Sequence, residues 1–229
     1  MTNSSPLAVF LRDFGKRTLK AALGLFLFAF GIYTQLAAGV GTAPWNVLND
    51  GLAHVLGISF GRASIIISLL IVLADLLLGE PIGLGTLMDA FLIGWWVDMF
   101  VWTGMLSQPE TVWGKTALLI FGVFVICFGQ YLYMGAGLSC GPRDALMVAV
   151  GKRLSKIPIG IVNIILMAMA MTAGYFMGGV TGFGTVLTMF CMGFCMDLVF
   201  RIMHFEPRLV HQQGLLESWR AFCDARAKS

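Results

Sequence analysis

The stretch Gly39-Val-Gly-Thr-Ala-Pro-Trp-Asn-Val-Leu48 occurs in this chain in two versions, and no other feature restricts its fold as much. Ninety-eight residues later the chain reads Gly137-Leu-Ser-Cys-Gly-Pro-Arg-Asp-Ala-Leu146, so that Gly39 matches Gly137, Pro44 matches Pro142, Leu48 matches Leu146, and Asn46 becomes Asp144. Upstream, Phe30, Gly31 and Tyr33 recur as Phe128, Gly129 and Tyr131. Downstream, one inserted residue moves the offset to 99: Gly61 recurs as Gly160, Ile65 and Ile66 as Ile164 and Ile165, and Gly79 as Gly178. Gly83, Gly85 and Thr86 then recur as Gly182, Gly184 and Thr185, and Gly94 and Asp98 as Gly193 and Asp197. Ordered matches of Gly, Pro and Asp are hard to produce by chance, so the chain reads as a duplicated unit, each copy broken once by a Gly/Pro segment.

The solvent for that unit is a bilayer. Hydrophobic residues make up 58% of the chain and charged residues 12%, and the mean hydropathy is +0.86. Soluble domains carry roughly twice that share of charge. The first apolar span follows a charged segment and precedes many others, which argues against a cleavable signal peptide. The net charge of +3 is too small to suggest nucleic acid. Cys127, Cys140, Cys191, Cys195 and Cys223 show no disulfide framework. Cys191 and Cys195, one helical turn apart, read as packing residues rather than metal or redox groups.

Taken in order, residues 1–20 form an amphipathic cytoplasmic segment. Leu7, Phe10, Leu11 and Phe14 share one helical face among Arg12, Lys16, Arg17 and Lys20, the pattern of a short interfacial helix. The sequon at Asn3 carries no weight there. The first membrane repeat covers residues 21–104, with spans at about 21–38, 61–78 and 85–102, each long enough for a hydrocarbon core of about 30 Å. Residues 105–115 are an extracytoplasmic linker. The second repeat covers residues 116–204, with spans at about 116–136, 159–177 and 184–203. Residues 205–229 are a cytoplasmic tail whose Leu215, Leu216, Trp219 and Phe222 form a second interfacial helix.

The short segments that begin at Pro44 and Pro142 are predicted to be helices, because proline suits a first helical turn. Asn46, Asp50 and His54 make a polar stripe along the first, with Asn49 beside it. Lipid does not tolerate such a stripe on an exposed helix, whereas a re-entrant or cavity-facing helix accommodates it. Six crossings leave thirteen Lys/Arg on one side and only Arg62 and Lys115 on the other, which puts both termini in the cytoplasm. An odd number of spans per unit makes the repeat inverted. Eight crossings distribute the charge equally well; the length and polarity of residues 44–57 favour six.

Gly-x-Gly-Thr occurs at Gly39, Gly83 and Gly182. Close helix packing explains the last two. The first also meets a proline and has a partner across the repeat, and matched broken helices are the sequence pointer to a transporter's central site. The candidate substrate-binding residues are therefore Trp45, Asn46, Asn49, Asp50, Arg143 and Asp144, with Asp89 as the most interior carboxylate. Asp75 lies nearer a span end, within reach of interfacial water. Asp98 and Asp197 match across the repeat, which suggests a shared capping contact. Asn163 suits a bond between helices, and His54 a structural role. No metal cluster, phosphate loop or nucleophile elbow emerges, so no catalytic residue, metal or cofactor is expected and the chain does not read as an enzyme.

Gly-x-Gly-Thr-Ala-Pro-Trp-Asn-Val-Leu, Gly-Ile-Ser-Phe-Gly-Arg at residues 57–62, and Gly-Leu-Gly-Thr with the later Asp98 resemble the YczE/YitT-type bacterial integral membrane proteins over about residues 20–204. The resemblance implies a multi-span inner-membrane protein of the transporter or permease kind and supplies no catalytic residues. That family carries Asp where this chain has Asn46, and the second break departs further, with Cys140 and Arg143 for Thr42 and Trp45. The expected protein is an all-α polytopic membrane protein with six transmembrane helices and two short broken helices in an inverted repeat. It exports or transports a small molecule or lipid-like metabolite across the bacterial inner membrane, as a single chain or a homo-oligomer. The competing class is a membrane scaffold for a biosynthetic complex.

Overall fold

A computed structural model describes residues 6–154, 156–206 and 210–227; Asn3, Arg208 and Lys228 lie outside them. The described residues form helices α1 (Pro6–Ala38), α2 (Pro44–Leu56), α3 (Phe60–Leu77), α4 (Leu84–Thr103), α5 (Val112–Met134), α6 (Pro142–Arg153), α7 (Ile159–Phe176), α8 (Phe183–Ile202) and α9 (Leu215–Ala227). Six of them, α1, α3, α4, α5, α7 and α8, are long and apolar enough to cross a membrane. Pro44 and Pro142 each open a short helix in the first turn, where the missing N–H leaves no bond unmade.

Helices α1 and α5 cross at the centre, and glycine makes the crossing close. A Cβ on Gly24 would stand 2.7 Å from the Gly129 carbonyl oxygen, and one on Gly31 would stand 2.7 Å from that of Gly122. Residue 24 meets 129 while 31 meets 122, so the two helices run antiparallel. In lipid no hydrophobic force drives helices together, and such close backbone approach is the main source of attraction. Around the crossing pack Leu25, Ile32, Val97, Phe100 and Ile126, all buried.

The two chain breaks lie at opposite ends of this pair. At one end the Leu106 N–H donates to the Tyr33 hydroxyl at 2.9 Å, and Gly39 abuts Gln108. At the other, Arg17 donates to the carbonyls of Ala136 (2.8 Å) and Gly137 (2.5 Å) and to Gln213 Oε1 (2.7 Å). Each break receives the start of a long helix. Gly85 N–H donates to the Leu138 carbonyl at 2.7 Å, and Gly184 N–H donates to the Val40 carbonyl at 2.8 Å. The later Gly-x-Gly-Thr motifs therefore dock α4 and α8 onto the breaks, a more specific role than helix packing alone.

The amphipathic segment before residue 21 is not a separate helix. It continues without interruption into the first span as α1, because only Gly15 intervenes and no proline stops propagation. Phe10 and Phe14 stack on one another, and Phe10 also meets Phe222 of α9. Leu216 and Trp219 of α9 remain exposed, as an interfacial helix requires.

One pair of helices lacks its counterpart. α3 packs on α4 through Gly61 and Gly94, whose backbones touch. Asp98 completes the contact by accepting bonds from the Ser59 hydroxyl and the Gly61 N–H, capping α3. Among the described residues the sequence-matched α7 and α8 make no comparable contact; Gly160 and Gly193 both face open space, and Asp197 is exposed. Asp98→Ala is accordingly expected to cost about 1–2 kcal/mol, the loss of a helix cap. Asp197→Ala is expected to leave the thermal midpoint unchanged. Equal midpoints for the two variants in detergent would show that Asp98 does not hold the seam.

Candidate functional site

A cavity of about 580 Å³ lies between the starts of the two short helices. Trp45 and Asn46 of α2, Asp89 of α4, and Arg143 and Asp144 of α6 all line it, so five of the seven candidate residues meet in one space. Asn49 and Asp50 do not. Asn49 is fully buried away from the cavity, and Asp50 Oδ2 accepts a bond from the Val180 N–H at 2.7 Å, tying α2 to the turn before α8. His54 lies against Gly178 of that turn, a structural position.

The walls of the cavity differ in chemistry. Residues separated by 98 or 99 positions both line it: Phe28 and Ile126, Ser64 and Asn163, Ser68 and Met167, Asp89 and Thr188, Ile93 and Met192. Polar groups come from both halves of the chain, Asn46, Ser64, Ser68 and Asp89 from the first and Arg143, Asp144, Asn163 and Thr188 from the second. The second half also supplies methionine, with Met134, Met147, Met167, Met189, Met192 and Met196 all in the lining. Methionine gives an apolar surface that adapts its shape.

Polar groups in the cavity are under-used by the protein. Asp89 and Asp144 form no hydrogen bond or ion pair with another described residue. Asp89 lies against Gly141 at the start of α6, where the helix dipole favours a carboxylate. The Arg143 guanidinium lies 5.4 Å from the centre of the Trp45 ring, a cation–π arrangement. Asn46 Oδ1, Thr188 Oγ1 and the Tyr133 hydroxyl have no hydrogen-bond partner among the described residues, and each belongs to a residue no more than 3% exposed. Leaving such groups unmade costs about 1–3 kcal/mol each.

Asp75 lies elsewhere and does not reach interfacial water. It is completely buried in α3, with neither carboxylate oxygen bonded to a described residue. Cys127 and Cys195 pack with Val123 and Val199, as small apolar residues do. The methionine wall and the hydroxyls of Ser64, Ser68, Tyr133 and Thr188 were missing from the sequence candidates. The signal for them was the comparison of matched positions: Leu36, Ser68, Ala90, Ile93 and Val97 in the first half all become methionine in the second.

A family described as a family of unknown function, DUF6198, matches residues 15–201. An uncharacterized protein of Haemophilus influenzae is 30% identical over 191 residues, covering 80% of this chain and 86% of the relative. The uncharacterized membrane protein YczE of Bacillus subtilis is 33% identical over 176 residues, covering 74% of this chain and 79% of its own. YyaS of the same organism is 26% identical, with 75% and 85% covered. No solved structure matches.

Proposed function

The chain belongs to the family of unknown function DUF6198, and from that premise we propose that it is a secondary transporter or exporter of a small molecule or lipid-like metabolite. In this reading two inverted units open the central cavity alternately to the two faces of a bacterial inner membrane. The observation that carries it is the difference between two equivalent helix seams. Gly61, Gly94 and Asp98 close α3 against α4. Gly160, Gly193 and Asp197 are the same residue types at the matching positions of α7 and α8, and they are not engaged. The cavity reaches both of those helices, through Asn163 and Met167 on one and Met189 and Met192 on the other. One sequence pattern holding two arrangements is what a device with two exchangeable states requires.

The antiparallel α1 and α5 support six crossings and an inverted repeat. If α2 also crossed, α5 would be the fifth crossing and would run parallel to α1. Arg17, Lys20, Lys152 and Arg153 gather at the end that holds the second break and the tail, and the positive-inside rule assigns that end, with both termini, to the cytoplasm. Cysteine labelling of position 62 from the cytoplasm would reject this orientation.

Disulfide trapping on a cysteine-free background tests alternation without knowledge of the substrate. Ser59→Cys with Asp98→Cys reports the closed α3–α4 seam, and Pro158→Cys with Asp197→Cys reports closure of α7 on α8. A disulfide needs Cα atoms within about 7 Å, so the second pair links only when its seam shuts. Both pairs are expected to link in membranes. In a chain carrying all four cysteines, linking one pair should prevent linking of the other. A first pair that links fully while the second never does would make the asymmetry permanent, and the protein a scaffold.

A further inference from the structure

The cavity carries enough chemistry to name the class of molecule it takes. Its charged lining consists of two carboxylates, Asp89 and Asp144, and one guanidinium, Arg143. Arg143 lies over the Trp45 ring and makes no ion pair with either carboxylate. The lining thus holds two acidic side chains for one basic one, and neither carboxylate hydrogen-bonds or ion-pairs with another described residue. Charges in a water-poor site need pairing, since an isolated buried ion is strongly disfavoured. Asn46, Thr188 and Tyr133, all deeply buried with oxygens unpartnered among the described residues, add one amide acceptor and two hydroxyls to the same space. An anion would find one guanidinium against two carboxylates. A cation finds the reverse, together with aromatic and methionine surface.

The rest of the lining is apolar, and its methionines lie on α5, α6, α7 and α8. A small hydrophilic cation such as an alkali ion would leave that wall uncovered. A molecule with a broad apolar body covers it, and methionine tolerates variation in the body's shape. The unpacked α7–α8 seam borders this wall, and the outer faces of both helices are apolar, with Ile164, Phe190 and Phe194 exposed.

We propose that the cavity binds amphipathic organic cations, with the charged centre near Asp89 and Asp144 and the apolar body against the methionine wall. This rests on the transporter reading for the site and adds its substrate class.

Two probes of one shape and opposite charge test it: tetraphenylphosphonium and tetraphenylborate, each titrated into the purified full-length chain in detergent by calorimetry. Tetraphenylphosphonium is expected to bind saturably, one per chain, and at least tenfold more tightly than tetraphenylborate, a difference of about 1.4 kcal/mol. Asp89→Asn combined with Asp144→Asn should weaken phosphonium binding at least tenfold and narrow the gap between the probes. Each single variant serves if the double variant folds poorly. Met192→Trp, which fills the cavity, should weaken both probes alike. Equal or preferential binding of tetraphenylborate overturns the cation assignment while leaving a binding cavity in place. Absence of saturable binding by either probe overturns it too, and the trapping of the α7–α8 seam, which needs no ligand, then decides the transporter reading by itself.

Discussion

Gly129→Val is expected to leave almost no folded protein. A Cβ at this position would sit 2.6 Å from the Gly24 carbonyl oxygen and 2.7 Å from the Phe28 amide nitrogen. Both are backbone atoms of α1, which cannot move aside as a flexible side chain would. Relief requires separating α1 from α5, and that separation undoes three further close approaches, at Gly24, Gly31 and Gly122. It also opens the layer of Leu25, Ile32, Phe100 and Ile126. Overpacking a tight core costs about 1–3 kcal/mol. Valine adds a Cβ and two methyl groups at a backbone crossing, so a penalty on the order of 3–5 kcal/mol is expected, a large part of ordinary domain stability. The measurement is the yield of monodisperse protein on size exclusion. Gly160→Val is the control, because nothing lies within 4 Å of a Cβ there, and its yield should equal that of wild type. Normal yield from Gly129→Val would refute the claim that backbone contact holds the two helices together.

The outline of this fold was legible because the bilayer imposes a length on each apolar run. The predicted spans at about 61–78 and 85–102 became Phe60–Leu77 and Leu84–Thr103. The start of the first helix was not legible. A change from polar to apolar neighbours alters where a helix sits, but hydropathy says nothing about whether the backbone bonds continue through it. Trp45, Asn46, Arg143 and Asp144, which line the cavity, were readable as candidates because charge and amide groups beside a break need partners. Asn49 and Asp50 were readable as polar and misplaced by one turn of reasoning. Their destinations are the interior around α2 and the Val180 N–H, and neither is encoded in local spacing. The methionine wall was hidden because methionine is as common in lipid-facing helices as in cavities. The open α7–α8 seam was hidden because Gly160, Gly193 and Asp197 repeat three residues that close the first seam; only Pro158, in place of the Ser59 that bonds Asp98, marks a difference.

Gly41→Val is the second substitution expected to act severely, and it tests whether the breaks themselves hold the long helices. Gly41 has φ +101°, a conformation that costs an L residue about 1–2 kcal/mol and a β-branched one more. A Cβ there would also stand 2.6 Å from Thr185 Oγ1 and 2.7 Å from the Gly182 nitrogen, at the place where the Gly184 N–H bonds the Val40 carbonyl. Strain and displacement of α8 together should cost on the order of 3–5 kcal/mol, read as a lowered thermal midpoint and lost yield. The other break shows which part of that penalty is avoidable. Ser139 occupies the matching position with φ +88° and is accommodated, since its hydroxyl lies 3.1 Å from Thr86 Oγ1 and its N–H donates to Gln212 of the tail. Ser139→Gly should therefore change stability by less than about 1 kcal/mol, relief of strain offsetting one lost hydrogen bond. Gly41→Ser separates the two contributions. The first break has no tail segment beside it to accept the N–H as Gln212 does, so the serine tolerated at position 139 is expected to destabilise position 41. If Gly41→Ser and Gly41→Val both melt with wild type, the break does not position α8, and the docking of long helices onto the breaks is incidental to the fold.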